Sequence, residues 1–439
     1  MTSDTRSSSD AQQPSPSTGR TGGVGAAGGV GGRLARFRPQ LSLLPLRSRG
    51  YRLLVVGQGT SEFGNSFQVV TLPLLVYSFA GGARQLSLVV AAYGACRLLA
   101  TPLGGILADR VGAWRVMMAA DLGRLLATAA LVAVAALRVH DLWLVGVLAA
   151  LVGLGAGLFL PAAWAITPRL LPAEQLQAGN SLSSTVNFTA GLIGPALAGL
   201  VVAWLDPAVA LGVDAASFAV SAATLLMIGR GPFVAPAPDV ARRAGVPRNF
   251  LALLRESRLL RSVLTVTVVA NLTMGGMSRV ALPSLATHDL AVGAIGLGAL
   301  LAVFTGGSLV GALLVAGLTG LRSRGRTAIQ CGLLMGVAVL LIPFAALPGA
   351  LVGLFVAGTA STVTNVLIVT GIQKQTPPEL LARVMAAVTF CALAVFPLSA
   401  VVVGAAVSAF GSRGVFVATG LCLLAAFGYA LTRSEMRGL

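Results

Sequence analysis

The chain has 439 residues, 56% of them hydrophobic and only 10% charged, with a mean hydropathy of +0.87. A soluble domain carries about 25% charged residues, so an array of water-soluble domains is excluded. The formal charge of +17 is not gathered into a basic polar domain, which excludes a nucleic-acid binder.

Residues 1–50 are rich in Ser, Gly, Pro and Arg and have no periodicity. That composition predicts a disordered tail. It lacks the short apolar core and small-residue cleavage site of a signal peptide. From residue 51 onward, apolar runs recur at a length that suits a bilayer, whose ~30 Å core takes about 20 residues of helix. Twelve spans are predicted: 52–80, 86–108, 114–138, 142–166, 177–204, 208–229, 259–286, 293–319, 325–347, 349–373, 381–409 and 413–432. Six precede and six follow the stretch 231–258, which carries Pro232, Pro236, Pro238, Arg242, Arg243 and Pro247. The expected organisation is a tail at 1–50, a six-helix bundle at 51–230, a cytoplasmic linker at 231–258, a second bundle at 259–433 and a short tail at 434–439.

The basic residues orient these spans. With the N-terminus inside, 25 of the 31 fall on inner segments, whereas only Arg84, Arg138 and Arg413 fall in outer loops. Basic residues in short loops mark the cytoplasmic face, so both termini are expected in the cytoplasm. Arg97, Arg124 and Arg279 lie within spans.

The two groups of six show weak internal similarity. The stretch from Pro172 to Leu176 recurs from Pro377 to Leu381, and Leu72-Pro73 recurs as Leu282-Pro283. The offsets, 205 and 210 residues, are nearly common, as expected of parallel repeats about an axis along the membrane normal.

The tightest loop joins spans 2 and 3: Gly105, then Asp109-Arg110, Gly112 and Arg115. Its Gly-x-x-x-Asp-Arg-x-Gly string resembles the loop between helices 2 and 3 of the major facilitator superfamily. Further residues carry the resemblance: Gly57-Gln58, Leu72-Pro73, Asp121 with Arg124, Pro161, Pro168-Arg169, Gly179-Asn180, Gly194-Pro195, and Asp214 with Ser217-Phe218. From about Tyr51 the chain is similar to the branch of that superfamily that holds siderophore and macrolide exporters. The resemblance implies an all-α integral membrane protein of twelve transmembrane helices in two pseudo-symmetric six-helix bundles. The chain departs from the pattern in the second-half loop around Arg322, Arg324 and Arg326, which has no Asp, and at Asn65, where that branch often has an acidic residue.

The resemblance makes Gly105, Asp109, Arg110, Gly112 and Arg115 a candidate cytoplasmic gate that latches the two halves. Glu62 and Arg97 reach the bilayer midplane by helix rise. A lone charge there costs at least ~2.5–3.5 kcal/mol, so they are candidates for proton coupling or for the charge of a central cavity. Asp121 and Arg124, three residues apart on one helix face, are expected to form a structural pair. Arg279 is expected to snorkel to the outer headgroups, and Asp214 to cap the start of span 6. In span 5, Gly191, Gly194, Pro195 and Gly199 combine a kink with small-residue packing; the resemblance ties such a string to exporters that exchange substrate for protons. Pro397 is its expected counterpart in span 11. Asn65, Gln68, Asn187 and Asn271 are candidate polar residues of a cavity, with Phe63, Phe67, Phe159, Trp164, Phe188, Phe304 and Phe390 as possible apolar lining.

No nucleotide-binding Gly-x-x-x-x-Gly-Lys string is present, so direct drive by ATP is not expected. His140 and His288 fall in predicted outer loops, and Cys96, Cys331, Cys391 and Cys422 show no metal spacing. Neither an enzyme nor a cofactor nor a metal site is expected. The expected function is a multi-pass secondary transporter of the inner membrane, not an enzyme. It exports an amphipathic or hydrophobic small molecule, such as a drug, antibiotic or secondary metabolite, in exchange for protons by rocker-switch alternating access. Its expected partners are that small molecule, protons and the bilayer, with no nucleic acid and a monomeric state. Nutrient uptake by a protein of the same superfamily is the alternative; a non-transporting membrane sensor is remote.

Overall fold

The computed structural model describes residues 44–79, 81–229, 258–317, 323–375 and 378–437. The expected linker at 231–258, apart from its last residue, and residues 1–43 of the expected tail lie outside them. The end of that tail is structured: Leu44–Arg47 forms a 3-10 turn with Pro45 buried.

The first half holds α1 (Arg49–Ser78), α2 (Ala83–Val111), α3 (Ala113–Ala136), α4 (Leu142–Leu170), α5 (Leu176–Trp204) and α6 (Pro207–Ile228). The second half holds α7 (Arg258–Gly276), α8 (Gly293–Gly317), α9 (Arg324–Leu341) and α10 (Leu347–Gln375). A helical run Pro378–Thr432 is broken at Gly411, whose φ is +73° and ψ 169°; we call its parts α11 (378–410) and α12 (412–432). A last turn, Ser434–Arg437, buries Met436 against the bundle instead of trailing free. Ten helical stretches among the described residues are long and apolar enough to cross a membrane, and one of them, Phe390–Thr432, contains most of α11, the break at Gly411 and all of α12. The less apolar α1 has 30 residues, about 45 Å at 1.5 Å per residue, and completes the twelve.

Helix ends follow local chemistry. Asp141 caps α4 by accepting the amides of Trp143 and Leu144 at 2.9 and 3.1 Å. Asp206 caps α6 by accepting the amide of Ala208 at 2.7 Å, with Pro207 as the first helical residue; this pairing of cap and proline is a strong start signal. Gly112 separates α2 from α3 alone, with φ +95°. Only a glycine takes that angle without strain, so one residue turns the chain back.

Successive helices put both described termini at one end of the bundle, here called the terminal end. Side chains staple the first half there. The Tyr51 hydroxyl donates to the Gly179 carbonyl at 2.6 Å, Ser48 donates to Leu170 at 3.1 Å, and the Trp114 indole donates to Leu225 at 2.7 Å. Within each half, helices approach through small residues. A Cβ at Gly104 would lie 2.7 Å from the Leu158 carbonyl oxygen, and one at Gly311 would lie 2.5 Å from the Thr359 carbonyl oxygen. These contacts set α2 against α4 and α8 against α10, the same pairing in both halves.

The halves meet at the opposite end. Gly94 of α2 faces Phe396 and Pro397 of α11, and Gly404 of α11 faces Ser87. On the other side of the molecule, Gly199 of α5 lies against the Ala294 carbonyl, and Gly298 of α8 lies against Pro195. The Tyr77 and His288 rings add an edge contact with centroids 5.1 Å apart. Toward the terminal end the faces of α4 and α5 stay open, with Trp164, Ser184 and Asn187 exposed.

Candidate functional site

Two chambers adjoin at the centre of the molecule, an upper one between the halves and a lower one lined by the first half. One has a cavity volume of about 370 Å³ and draws on both halves: Glu62, Asn65 and Gln68 from α1, Tyr93 and Arg97 from α2, and Ser278, Arg279, Phe304 and Phe396 from the second half. The other, about 450 Å³, lies toward the terminal end and is lined by Gln58, Glu62, Trp164, Asn180, Ser183 and Asn187 among others. Both include Glu62, Arg124, Phe159 and Leu160, so the chambers adjoin at that group. Each is of a size that takes a drug-like molecule.

Glu62 stands at the junction and is exposed to it. Among the described residues it makes no ion pair within 4 Å, and neither does Arg97. The charges of the upper chamber are thus one carboxylate and three guanidinium groups: Arg97 and the Asp121-paired Arg124 from the first half, and Arg279 from the second. In a region walled by apolar helices these charges act on each other and on an occupant more strongly than they would in water.

Arg279 does not snorkel to the outer headgroups. It sits on a π-helical turn, Met277–Ala281, and lines the chamber with Arg97 and Glu62. A second π turn, Leu285–Asp289, follows Pro283. Proline lacks the N–H that would bond back to residue 279, and the widened turns around it keep the helix continuous. The internal repeat carried a signal for this position. At the offset of 210 that pairs Leu72-Pro73 with Leu282-Pro283, Arg279 matches Val69, which also lines the chamber.

Asp214 does not cap a helix either. The cap is Asp206, and Asp214 lies two turns inside α6, wholly buried. The Asp206-Pro207 pair was the start signal in the sequence. Near Asp214, Asp121 and Arg124 of α3 form a buried ion pair, 0% and 2% exposed. Ser221 of α6 donates to the second oxygen of Asp121 at 2.7 Å. The Arg124 guanidinium is sandwiched between Phe159 and Phe218, 4.6 and 4.4 Å from the ring centroids. Such contacts favour a desolvated cation. Gly155 of α4 leaves room for the Arg124 stem, since a Cβ there would lie 2.5 Å from its Cγ.

Of the polar candidates, Asn65 and Gln68 line the upper chamber and Asn187 the lower. Asn271 lines neither; its amide turns back to its own helix and donates to the Thr267 carbonyl at 2.8 Å. Phe159, Trp164 and Phe304 line the chambers. Phe63 and Phe67 instead pack on each other, with centroids 5.2 Å apart, and neither they, Phe188 nor Phe390 is a lining residue. Phe396 and Tyr93 line the upper chamber and were not singled out in the sequence.

The span 5 string lies at the interface of the halves. Gly191 faces Thr305 of α8, Pro195 and Gly199 face Gly298 and Ala294, and Gly194 receives Ser66 of α1. The loop group occupies the terminal end. Asp109 is half-buried, Arg110 and Arg115 are exposed, and Gly112 is buried at the turn. Helix contact there falls to Gly104; a Cβ at Gly105 would meet only Pro161, at 4.0 Å.

Residues 54–278 match the family profile of the Major Facilitator Superfamily. The chain is 31% identical over 394 residues to the multidrug efflux pump Tap of Mycolicibacterium fortuitum, covering 86% of this chain and 94% of that one. Its fold is similar to that of a bacterial homologue of the human lysosomal transporter Spinster, with a TM-score of 0.71 at 15% identity, covering 90% of this chain and 98% of the other. The nucleoside transporter NupG gives a TM-score of 0.69 at 13% identity, with 88% and 100% covered.

Proposed function

The chain belongs to the Major Facilitator Superfamily and is a multi-pass membrane transporter of small molecules; from that premise we propose that it exports an amphipathic small molecule from the cytoplasm in exchange for protons. The observation that carries the reading is the charged chamber between the halves, with Glu62 and Arg97 on one side and Arg279 on the other. A rocker-switch site needs ligands from both halves, so that its affinity and access change as they rock. The likeness to Tap, a multidrug efflux pump, supports export.

In this reading the terminal end faces the cytoplasm, as the basic residues argue, and the structure is inward-facing. Substrate enters past Trp164 and Asn187 and places its apolar body against Phe159, Phe304 and Phe396. A polar group on it meets Arg97, Arg279 or Glu62. Glu62 exchanges a proton with the chamber as substrate comes and goes, since a carboxylate that competes with an occupant for nearby cations couples the two. Asp109, Arg110 and Arg115 latch the halves at the cytoplasmic end when the chamber faces outward. Gly199 and Gly94 close the outer end when it faces inward, because only small residues let α5 and α2 approach α8 and α11 so closely.

Cells producing the protein test this. They are loaded with ethidium or a fluorescent macrolide, and retention is followed with and without a protonophore. Lower retention that the protonophore restores supports export driven by protons. Higher retention than in cells lacking the protein would favour uptake.

A further inference from the structure

We propose that Asp214 is a buried proton-binding site, and that it holds its proton in this inward-facing conformation. The site rests on the proton-coupled reading for its use in transport, but it stands on its own surroundings.

Asp214 is 0% exposed. Among the described residues, neither of its carboxylate oxygens has a hydrogen-bond partner. Ser217, one turn on, gives its hydroxyl proton to the Asp214 backbone carbonyl at 2.7 Å, not to the carboxylate. On the other side lies the bare backbone of α1: a Cβ at Gly64 would be 2.8 Å from Asp214 Oδ1. An ionised carboxylate buried without a donor is so costly that such a group neutralises instead. A neutral acid in that position loses far less.

The surroundings also offer a way to release the proton. The charges beside Asp214 are Arg124, which lies over the Phe218 ring one turn from Asp214, and Glu62, two residues before the Gly64 that Asp214 packs against. From α3 the titratable and charged groups near it are Asp121 and Arg124, and from α1 Glu62; α5, which also touches α6, carries no charged side chain. Arg124 is paired with Asp121 but keeps a buried Nε without an acceptor. A donor without an acceptor and an acid without a donor therefore lie close together in the packing of α3 against α6. When Asp214 loses its proton, the carboxylate attracts the guanidinium, which then bridges Asp214 and Asp121. That movement draws Arg124 across the face of Phe159, where the two chambers adjoin.

The step balances simply. In the outward-facing state a proton from the outer water adds to the Asp214 carboxylate by way of Glu62, giving the neutral acid. In the inward-facing state the acid holds that proton until substrate enters the chamber, and then gives it back through Glu62 to the cytoplasmic water. No bond other than O–H forms or breaks. Glu62, open to the chamber, takes up and hands on protons, and Asp214 stores them.

The test is infrared difference spectroscopy of the purified full-length transporter in lipid nanodiscs. The expected result is a buried carboxylic-acid carbonyl band in wild type at neutral pH. Asp214→Asn should abolish it, and Asp214→Glu, the variant to use should the first not fold, should shift it. In proteoliposomes with an imposed pH gradient, Asp214→Asn should lose uphill movement of ethidium while ethidium exchange without a gradient continues. No acid band in wild type, or a band unchanged in both variants, would overturn the site. An acid band that obeys the prediction, with no gradient-driven movement of any probe by wild type, would keep the site and overturn the proton-coupled reading of the transporter.

Discussion

Ser221 of α6 donates its hydroxyl to Asp121 of α3 at 2.7 Å, with both residues buried. That bond occupies the oxygen of Asp121 that Arg124 leaves free, and so fixes the carboxylate on which the guanidinium rests. Three helices are thereby tied around one cation, since Phe159 of α4 covers its face.

Removing the acid should be costly. Asp121→Asn leaves Arg124 as an uncompensated buried charge, and breaking a buried pair typically costs about 3–5 kcal/mol. Ser221→Ala should cost less, about 1–3 kcal/mol for an acceptor left without its donor. Thermal unfolding of the detergent-solubilised protein, read from tryptophan fluorescence, should show a clear fall in Tm for the first and a smaller one for the second. Equal Tm values would mean that the pair does not bear on stability.

The turn at Gly112 should resist any side chain. At φ +95° an L-residue is strained by roughly 1–2 kcal/mol. Gly112→Ala should slow transport with little change in half-saturating substrate, because in the proposed cycle the turn belongs to the gate and it does not line the chamber. Asp109→Asn should do the same. A change confined to substrate affinity in either variant would contradict a gating role.

The outer seal should be open to manipulation. A Cβ at Gly199 would lie 2.5 Å from the Ala294 carbonyl oxygen, so Gly199→Leu should hold α5 and α8 apart. Spin labels at exposed outer positions of the two halves should then report longer distances, and export should stop. Unchanged distances would show that this contact does not close the outer end.

How far these residues could be read in advance depended on what each one uses. All twelve spans were legible, because the bilayer imposes length and apolarity on each; most helices begin and end near the predicted residues, whereas α7 gives way to π turns after Gly276 and α9 stops at Leu341, six residues early. The chamber was legible in part. Glu62 and Arg97 stood out as charges at midplane depth, whereas Arg279 lay too close to a predicted end, and only the Leu-Pro repeat pointed inward. Asp214 was misplaced because its helix starts at Asp206, two turns earlier. Gly64, Gly155 and Gly404 were invisible, since small residues are abundant in every span and only the packing shows which ones meet a neighbour.

The charge of the chamber predicts selectivity. Arg279→Gln should reduce export of substrates bearing an anionic group far more than export of lipophilic cations, as a cation in so apolar a place governs which partners enter. Competition for a fluorescent probe by anionic and cationic compounds would measure it. Equal loss for both would remove Arg279 from recognition.

The most direct test of proton-coupled export through Glu62 uses everted membrane vesicles that hold a proton gradient reported by a pH-sensitive dye. Lipophilic cations, macrolides and siderophores are added in turn to vesicles with wild type and with Glu62→Gln. The account predicts that at least one compound collapses the gradient in wild type and none does so in the variant. Equal collapse in both would contradict the role of Glu62, and an unresponsive wild type would contradict proton-coupled export of these compounds.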